Sequence, residues 1–314
     1  MTKKDNQVIN LKFYVGITDY NWFITLKEAK YEEVNFWRPG GKASFKALDE
    51  GGMFLFKLHS PHDFIVGGGF FLKFSTLPVS LAWEAFGPAN GVKSFYELKN
   101  SIWKYKKTSP SIDSDPQIGC IILTNCFYFE EEDWIEVPGD WSRNIVQGKT
   151  YDSSEYHGAI LYNKIQKRIL SRDFVKEPHG DRYGKGVLIK PRLGQGSFKV
   201  VVTDAYHRRC AITGEKTLPA LEAAHIKPYS QNGPHDIKNG ILLRRDYHTL
   251  FDRGYITIDK DFHILVSHRI HDDYGNGKEY YSRHGSKLAV LPNRKEQLPD
   301  SSFLEWHNKK VYLG

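Results

Sequence analysis

Between Cys210 and Asp259 the chain sets four chemically potent side chains at intervals that few folds can serve. His225 ends a short run, LEAAHI, that reads as a strand, and Pro228 follows it. Asn239 lies 14 residues on, within the turn-rich NGPHDIKNG. His248 comes nine residues later in a segment that reads as a helix. Asp252 is four beyond it, on the same helical face. A strand, a loop and a helix must converge if these four are to act together. An i, i+4 His/Asp pair can hold one divalent ion, and a strand histidine facing that ion can act as a general base.

Taken singly, a strand histidine is ordinarily hydrogen-bonded structure, and a lone His/Asp pair on a helix is ordinarily a surface pair. It is the whole spacing that gives the segment meaning. The flanks RRCAITGEKTLPALEAAHIKPY and LLRRDYHTLFDRGYITID, with that spacing, resemble the HNH nuclease family and its ββα-metal fold. Within the family they look like a subfamily found in restriction-type endonucleases. The resemblance implies that His225, Asn239 and His248 occupy the catalytic positions. It also implies that His248 and Asp252 bind one divalent metal ion per site, Mg2+ or Mn2+ or a later transition ion. Hydrolysis of a phosphodiester needs an activated water, charge neutralisation and help for the leaving 3′ oxygen. His225 would take the proton, and the ion would contact the scissile phosphate and the leaving oxygen. Asn239 in this family often tethers the hairpin loop and orients the base, and in some members it binds metal. Arg244 and Arg245, at the start of the expected helix, can clamp phosphate.

The sequence departs from the family at Ala224, where many members carry a metal-binding His or Asp. Glu222, Asn239 or water alone would then complete the metal shell. Paired CxxC motifs are missing beside Cys210, so no structural zinc is expected, and Cys210 reads as a packed strand thiol. His235 reads as a loop residue; His207, His271, His284 and His307 receive no role.

Charge is unevenly placed. Residues 1–179 carry 22 Lys+Arg and 22 Asp+Glu, so the net +7 falls wholly within residues 180–314. A basic half beside a neutral, aromatic half suits a polyanion, nucleic acid first. At 314 residues, 40% hydrophobic and 26% charged, the chain is of globular composition and of a length for about two domains. No apolar run approaches the ~18–20 residues of a membrane span, so no membrane partner is expected. The opening MTKKDNQVINLKFYVG lacks an apolar h-region and a cleavage site, and three cysteines suit a reducing compartment. The expected location is the cytoplasm.

The first half reads as β-rich. LKFYVGI, GGMFLFKL, DFIVGGGFFLKFSTL and IGCIILTNCFYF are strand-like runs, and two helices separated by Gly87, Pro88 and Gly91 interrupt them. Gly67-Gly68-Gly69 lacks the ending of a phosphate loop and reads as a bulge or a close backbone approach. FYVGITDYNWF, VNFWRPGG and VPGDWSRNIVQGKTY place Trp22, Phe36, Trp37 and Trp141 near strand ends and loops. Such aromatics can stack on a flipped base, with Asp19, Asn21, Ser44 and Asn144 offering polar contacts to its edge. Trp83 and Trp103, at helical spacing, read as core. The Tyr-Asn-Trp-Phe after the first strand and the Phe-Trp-Arg-Pro loop resemble the PUA-like superfamily and the EVE domain within it. That resemblance implies a reader of modified bases.

The expected architecture is α+β. A PUA-like curled β-sheet or barrel with inserted helices covers 1–152, a helical linker 153–197, and a ββα-metal HNH nuclease domain 198–314. The expected activity is a modification-dependent endonuclease acting on double-stranded DNA near 5-methyl- or 5-hydroxymethylcytosine, with a homodimer compatible with double-strand cutting. The alternative is a modified-nucleic-acid-binding protein whose HNH module does not cleave.

Overall fold

The computed structural model describes residues 11–41, 44–107, 109, 112–171 and 193–314. The chain divides between residues 192 and 193 into two compact units, each mixing helices and strands. Most of the Gly/Pro-rich connection expected after the helix at 153–172, residues 172–192, lies outside the described residues.

The first unit runs β1 (Lys12–Thr18), α1 (Tyr20–Ala29), β2 (Glu33–Arg38), β3 (Met53–Leu58), β4 (Phe64–Pro78), α2 (Val79–Phe86), α3 (Phe95–Lys106), β5 (Gln117–Tyr128), β6 (Ile135–Glu136), β7 (Gly148–Asp152) and α4 (Tyr156–Ser171). The strands form one sheet in the order β2-β5-β4-β3-β1-β7, with β6 paired to β4. β1 and β3 are parallel, and the other pairs are antiparallel. The end strands are short: β2 pairs with β5 and β7 with β1, and no pairing joins β2 to β7. The sheet is therefore open among the described residues, which corrects the barrel alternative.

β4 is 15 residues long and threads between β3 and β5. The glycine run in its first half is the close approach that the sequence suggested. A Cβ at Gly67 would lie 2.4 Å from the Phe127 carbonyl oxygen, and one at Gly68 2.5 Å from that of Phe54. The register with β5 slips at the same place, between Gly68 and Phe70.

Of the aromatics expected near strand ends and loops, Trp22 lies on helix α1, and Phe36 and Trp37 lie within β2. Trp22, Phe23 and Leu26 form the buried face of α1. Helix α4, in the segment read as a linker, buries Leu161 and Ile165 in one cluster with Phe13, Val15 and Phe129 of the first unit.

The second unit runs α5 (Gln195–Ala205), β8 (Leu221–His225), β9 (Gly240–Arg244), α6 (Arg245–Asp252), β10 (Ile256–Ile258), β11 (Ile264–Val266), α7 (Arg269–Tyr274), α8 (Lys278–Tyr281) and α9 (Ser301–Lys310). β8 and β9 form an antiparallel pair in register from Leu221↔Arg244 to His225↔Gly240. α6 starts at the residue after β9, so two strands and a helix form one ββα unit. Phe198 and Val202 of α5, Tyr206 just past its end, Ile241–Leu243 of β9 and Tyr247 and Phe251 of α6 share its core. No helix among the described residues is long and apolar enough to cross a membrane.

Candidate active site

The ββα unit places His225 at the last position of β8, opposite Gly240. Gly240 carries no side chain because α5 lies against it: a Cβ there would meet Val202 Cγ2 at 2.3 Å and the Phe198 ring at 3.1 Å. That close approach brings the Phe198 ring parallel to the His225 imidazole, with centroids 3.9 Å apart and planes 11° apart. Burial pulls the His225 pKa down to about 4, and the neighbouring imidazoles of His235 and His248 act in the same direction. The imidazole is thus a free base at neutral pH. Its Nε2 lies 3.0 Å from His235 Nδ1, and its Nδ1 has no hydrogen-bond partner among the described residues.

Asn239 is fully buried, and its side chain is committed to backbone. Oδ1 accepts from the Lys227 N–H at 2.8 Å, while Nδ2 donates to the Lys227 and Pro234 carbonyls, each at 2.9 Å. The side chain closes the loop between β8 and β9, and among the described residues it makes no hydrogen bond to His225.

On α6, His248 stands between two carboxylates. Its Nδ1 is 2.8 Å from Glu222 Oε2 of β8, and its Nε2 is 3.3 Å from Asp252 Oδ2, one helical turn on. Burial raises the Asp252 pKa; His248 opposes this and the Glu222 charge adds to it. Arg245 Nε reaches the other Glu222 oxygen at 3.0 Å. Arg244, the other expected phosphate clamp, is held by carboxylates. Its fork is taken by Asp246, at 2.7 Å to both carboxylate oxygens, and by Glu279 at 2.8 Å. The two carboxylates push its pKa up and engage its Nε and Nη2 donors. Cys210 is buried just before a turn rather than in a strand, with its sulfur accepting from the Thr213 and Arg244 N–H groups.

A family model described as an HNH endonuclease matches residues 210–259, the stretch that contains the ββα unit and all four spaced side chains. The chain carries an HNH endonuclease domain. No curated protein matches the chain. Among solved structures, one titled "Modification dependent TagI restriction endonuclease" is similar over 89% of this chain and 75% of its own, at 12% identity and a TM-score of 0.28. A superposition that loose says nothing about activity.

Divalent metal is what HNH nucleases typically use, and the donor chemistry of this HNH domain fits one. Among the described residues no group of three or more His, Cys, Asp and Glu is arranged as a ready-made metal site. Two donors bound at about 2.1 Å to one ion, at a right angle, lie about 3 Å apart. His248 Nε2 and Asp252 Oδ2 have that spacing. Glu222, on the opposite ring nitrogen, is placed to orient the imidazole, the usual partnership of a carboxylate with a ligating histidine. The sequence leaves Glu222, Asn239 and water open as the further ligand; the contact of Glu222 with His248, 26 residues away, has no local signature.

In the first unit the residues expected to form a base pocket do not share one environment. Trp22 and Phe36 are core. Their rings meet edge-on at 5.3 Å, and Trp22 also abuts Phe56 at 5.2 Å. Neither has a free face for stacking, which corrects that expectation. Trp37 is half-buried, donates from Nε1 to the Asn90 carbonyl at 3.0 Å and meets the exposed Tyr105 edge-on at 6.1 Å. The Tyr105 hydroxyl lies 3.4 Å from Asp19, so Trp37 and Asp19 are joined through a residue the sequence reading did not select. Trp141 has a different neighbour, the Lys57 ammonium, 5.3 Å over its ring. Asn21, Ser44 and Asn144 are exposed, and among the described residues no hydrogen bond ties their side chains to the others.

Proposed function

We propose that this protein is a metal-dependent DNA endonuclease whose HNH domain hydrolyses phosphodiester bonds at a site built from His225, His248, Asp252 and Glu222. The observation that carries the reading is an imidazole, neutral at pH 7 and with an open Nδ1, in the same ββα unit as a histidine flanked by two carboxylates. His225 accepts the proton of the attacking water on Nδ1 as the water oxygen bonds to phosphorus and the P–O3′ bond breaks. One Mg2+ or Mn2+ ion, held by His248 and Asp252, would supply charge neutralisation at the phosphate and the leaving oxygen. Glu222 holds the His248 ring through Nδ1. Asn239 shapes the loop that carries His235.

The first unit is proposed as the reader, with 5-methyl- or 5-hydroxymethylcytosine in double-stranded DNA as its target, acting in the cytoplasm. Its resemblance to PUA-like and EVE domains and its surface aromatics support this. The domain boundaries expected from the sequence and a homodimer for double-strand cutting belong to the same proposal.

The test is digestion of otherwise identical duplexes bearing cytosine, 5-methylcytosine, 5-hydroxymethylcytosine or glucosylated cytosine, with Mg2+ or Mn2+. Cleavage of a modified duplex, abolished by His225→Ala, is the expected result. His248→Ala should weaken metal binding and cleavage together. Failure to cut any duplex with any divalent ion ends the reading. Ala224, in place of a family ligand, favours a second reading in which the domain grips DNA without cutting it. Salt-dependent DNA affinity unchanged by His225→Ala, with no nicking, would decide for that one.

A further inference from the structure

We propose that His235 is a positioning residue that sets which nitrogen of His225 carries the reactive lone pair. The inference rests on the reading of His225 as general base. Nε2 of His225 and Nδ1 of His235 are 3.0 Å apart and share one proton. Two arrangements are open to them. If His235 donates, His225 accepts on Nε2 and carries its own hydrogen on Nδ1, so neither nitrogen is free to take a proton. If His225 donates from Nε2–H, its lone pair stays on Nδ1, the nitrogen without a partner.

The second arrangement is the one the site favours. It puts both rings in the Nε2–H form, the intrinsically preferred tautomer of a histidine imidazole, whereas the first puts both in the less stable form. It also avoids a half-buried His225 Nδ1–H that has no acceptor among the described residues. When the water proton arrives on Nδ1, the Nε2–H···Nδ1 bond to His235 becomes charge-assisted and steadies the imidazolium.

The His235 ring is held for this task. Tyr229 stacks on it with centroids 4.9 Å apart and planes 12° apart. Pro234, the residue before it, has its carbonyl pinned by Asn239 Nδ2 at 2.9 Å. Asn239 is therefore linked to the base through Pro234 and His235.

The test uses two replacements that separate packing from hydrogen bonding. His235→Phe keeps a ring against Tyr229 and cannot accept a hydrogen bond. His235→Asn gives up the ring and places an amide oxygen near the former Nδ1. In full-length, metal-free protein labelled with 15N-histidine, the His225 signals are identified by their loss in His225→Ala. His225 should show the Nε2–H tautomer in wild type and in His235→Asn, and a tautomer mixture in His235→Phe. In turnover, His235→Phe should lose roughly 10- to 100-fold in kcat with KM within about two-fold, while His235→Asn keeps kcat within about five-fold. An Nδ1–H form in wild type, or rescue by Phe and not by Asn, overturns the proposal. If His225→Ala cleaves like wild type, the base assignment itself fails. If His225→Ala is inactive and His235→Phe turns over like wild type, this inference alone fails.

Discussion

Asn239 shows how much of this site depends on one side chain that performs no chemistry. Its amide oxygen and both amide hydrogens meet backbone groups of the β8–β9 loop in a fully buried setting. Asn239→Asp would keep the acceptor for Lys227 N–H and turn the other oxygen against two carbonyls. Leaving those carbonyls unpaired and burying a charge should lower the unfolding free energy by about 2–4 kcal/mol. Urea denaturation at pH 7 measures it, and wild-type stability would refute the clasp. At this scale the sequence was informative where spacing is local. His248 and Asp252 are four apart, and His225, Asn239 and His248 follow one another within a single ββα run. It was blind to side chains that meet only in three dimensions. Phe198 on His225, Glu222 on His248 and Glu279 on Arg244 are tertiary contacts with no periodicity to betray them. His235 reads as a loop residue because a lone histidine in a turn has no local mark of its partner.

At the scale of elements, two helices brace the ββα unit. α5 closes on β9 at Gly240. Gly240→Ala should destabilise by about 1–3 kcal/mol, because its Cβ collides with Val202. Val202→Ala, which removes Cγ2, should make the double variant more stable than the two single losses would sum to, as read in a double-mutant cycle. Additive losses would mean that the contact at Gly240 is not the constraint. α9 reaches α6 and β10 through His307, assigned no role from sequence. Its Nε2–H donates to the Phe251 carbonyl at 3.0 Å, and its Nδ1 accepts from the Thr257 hydroxyl at 2.8 Å. Burial pulls its pKa down to about 4, with the Phe251 carbonyl pulling the other way. The folded state thus keeps His307 neutral where the unfolded chain would protonate it. The stabilisation is complete above the unfolded value of ~6.5 and is lost as pH falls from there towards 4, by about 3 kcal/mol in all. His307→Gln, which does not titrate, should show a flatter stability profile than wild type across that window in urea melts. Parallel profiles would rule the clamp out. The longer elements, β4 and β5, were legible because their apolar runs outlast any ambiguity of period. α1 and β2 were not: ten and six residues, each with consecutive aromatics, fit a strand end as well as a helix face.

For the molecule as a whole, the charge distribution and the division into two units make separable demands on DNA. The excess of +7 belongs to residues 180–314, most of which form the second unit. Each phosphate neutralised releases counterions and steepens the salt dependence of binding by about one unit of slope. That slope should therefore belong to the HNH-bearing unit, and discrimination between modified and plain cytosine to the first. Both can be read from fluorescence anisotropy with a His225→Ala background, which keeps the duplex intact. Arg245 is exposed and beside Glu222, so Arg245→Ala should reduce the slope by about one and weaken modified and plain duplexes alike. Tyr105→Ala, which removes the ring joining Trp37 and Asp19, should leave the slope unchanged and shrink the preference for the modified duplex. A slope that falls with Tyr105→Ala would place the phosphate grip on the first unit. A preference that survives it would remove the Trp37–Tyr105–Asp19 cluster from base reading.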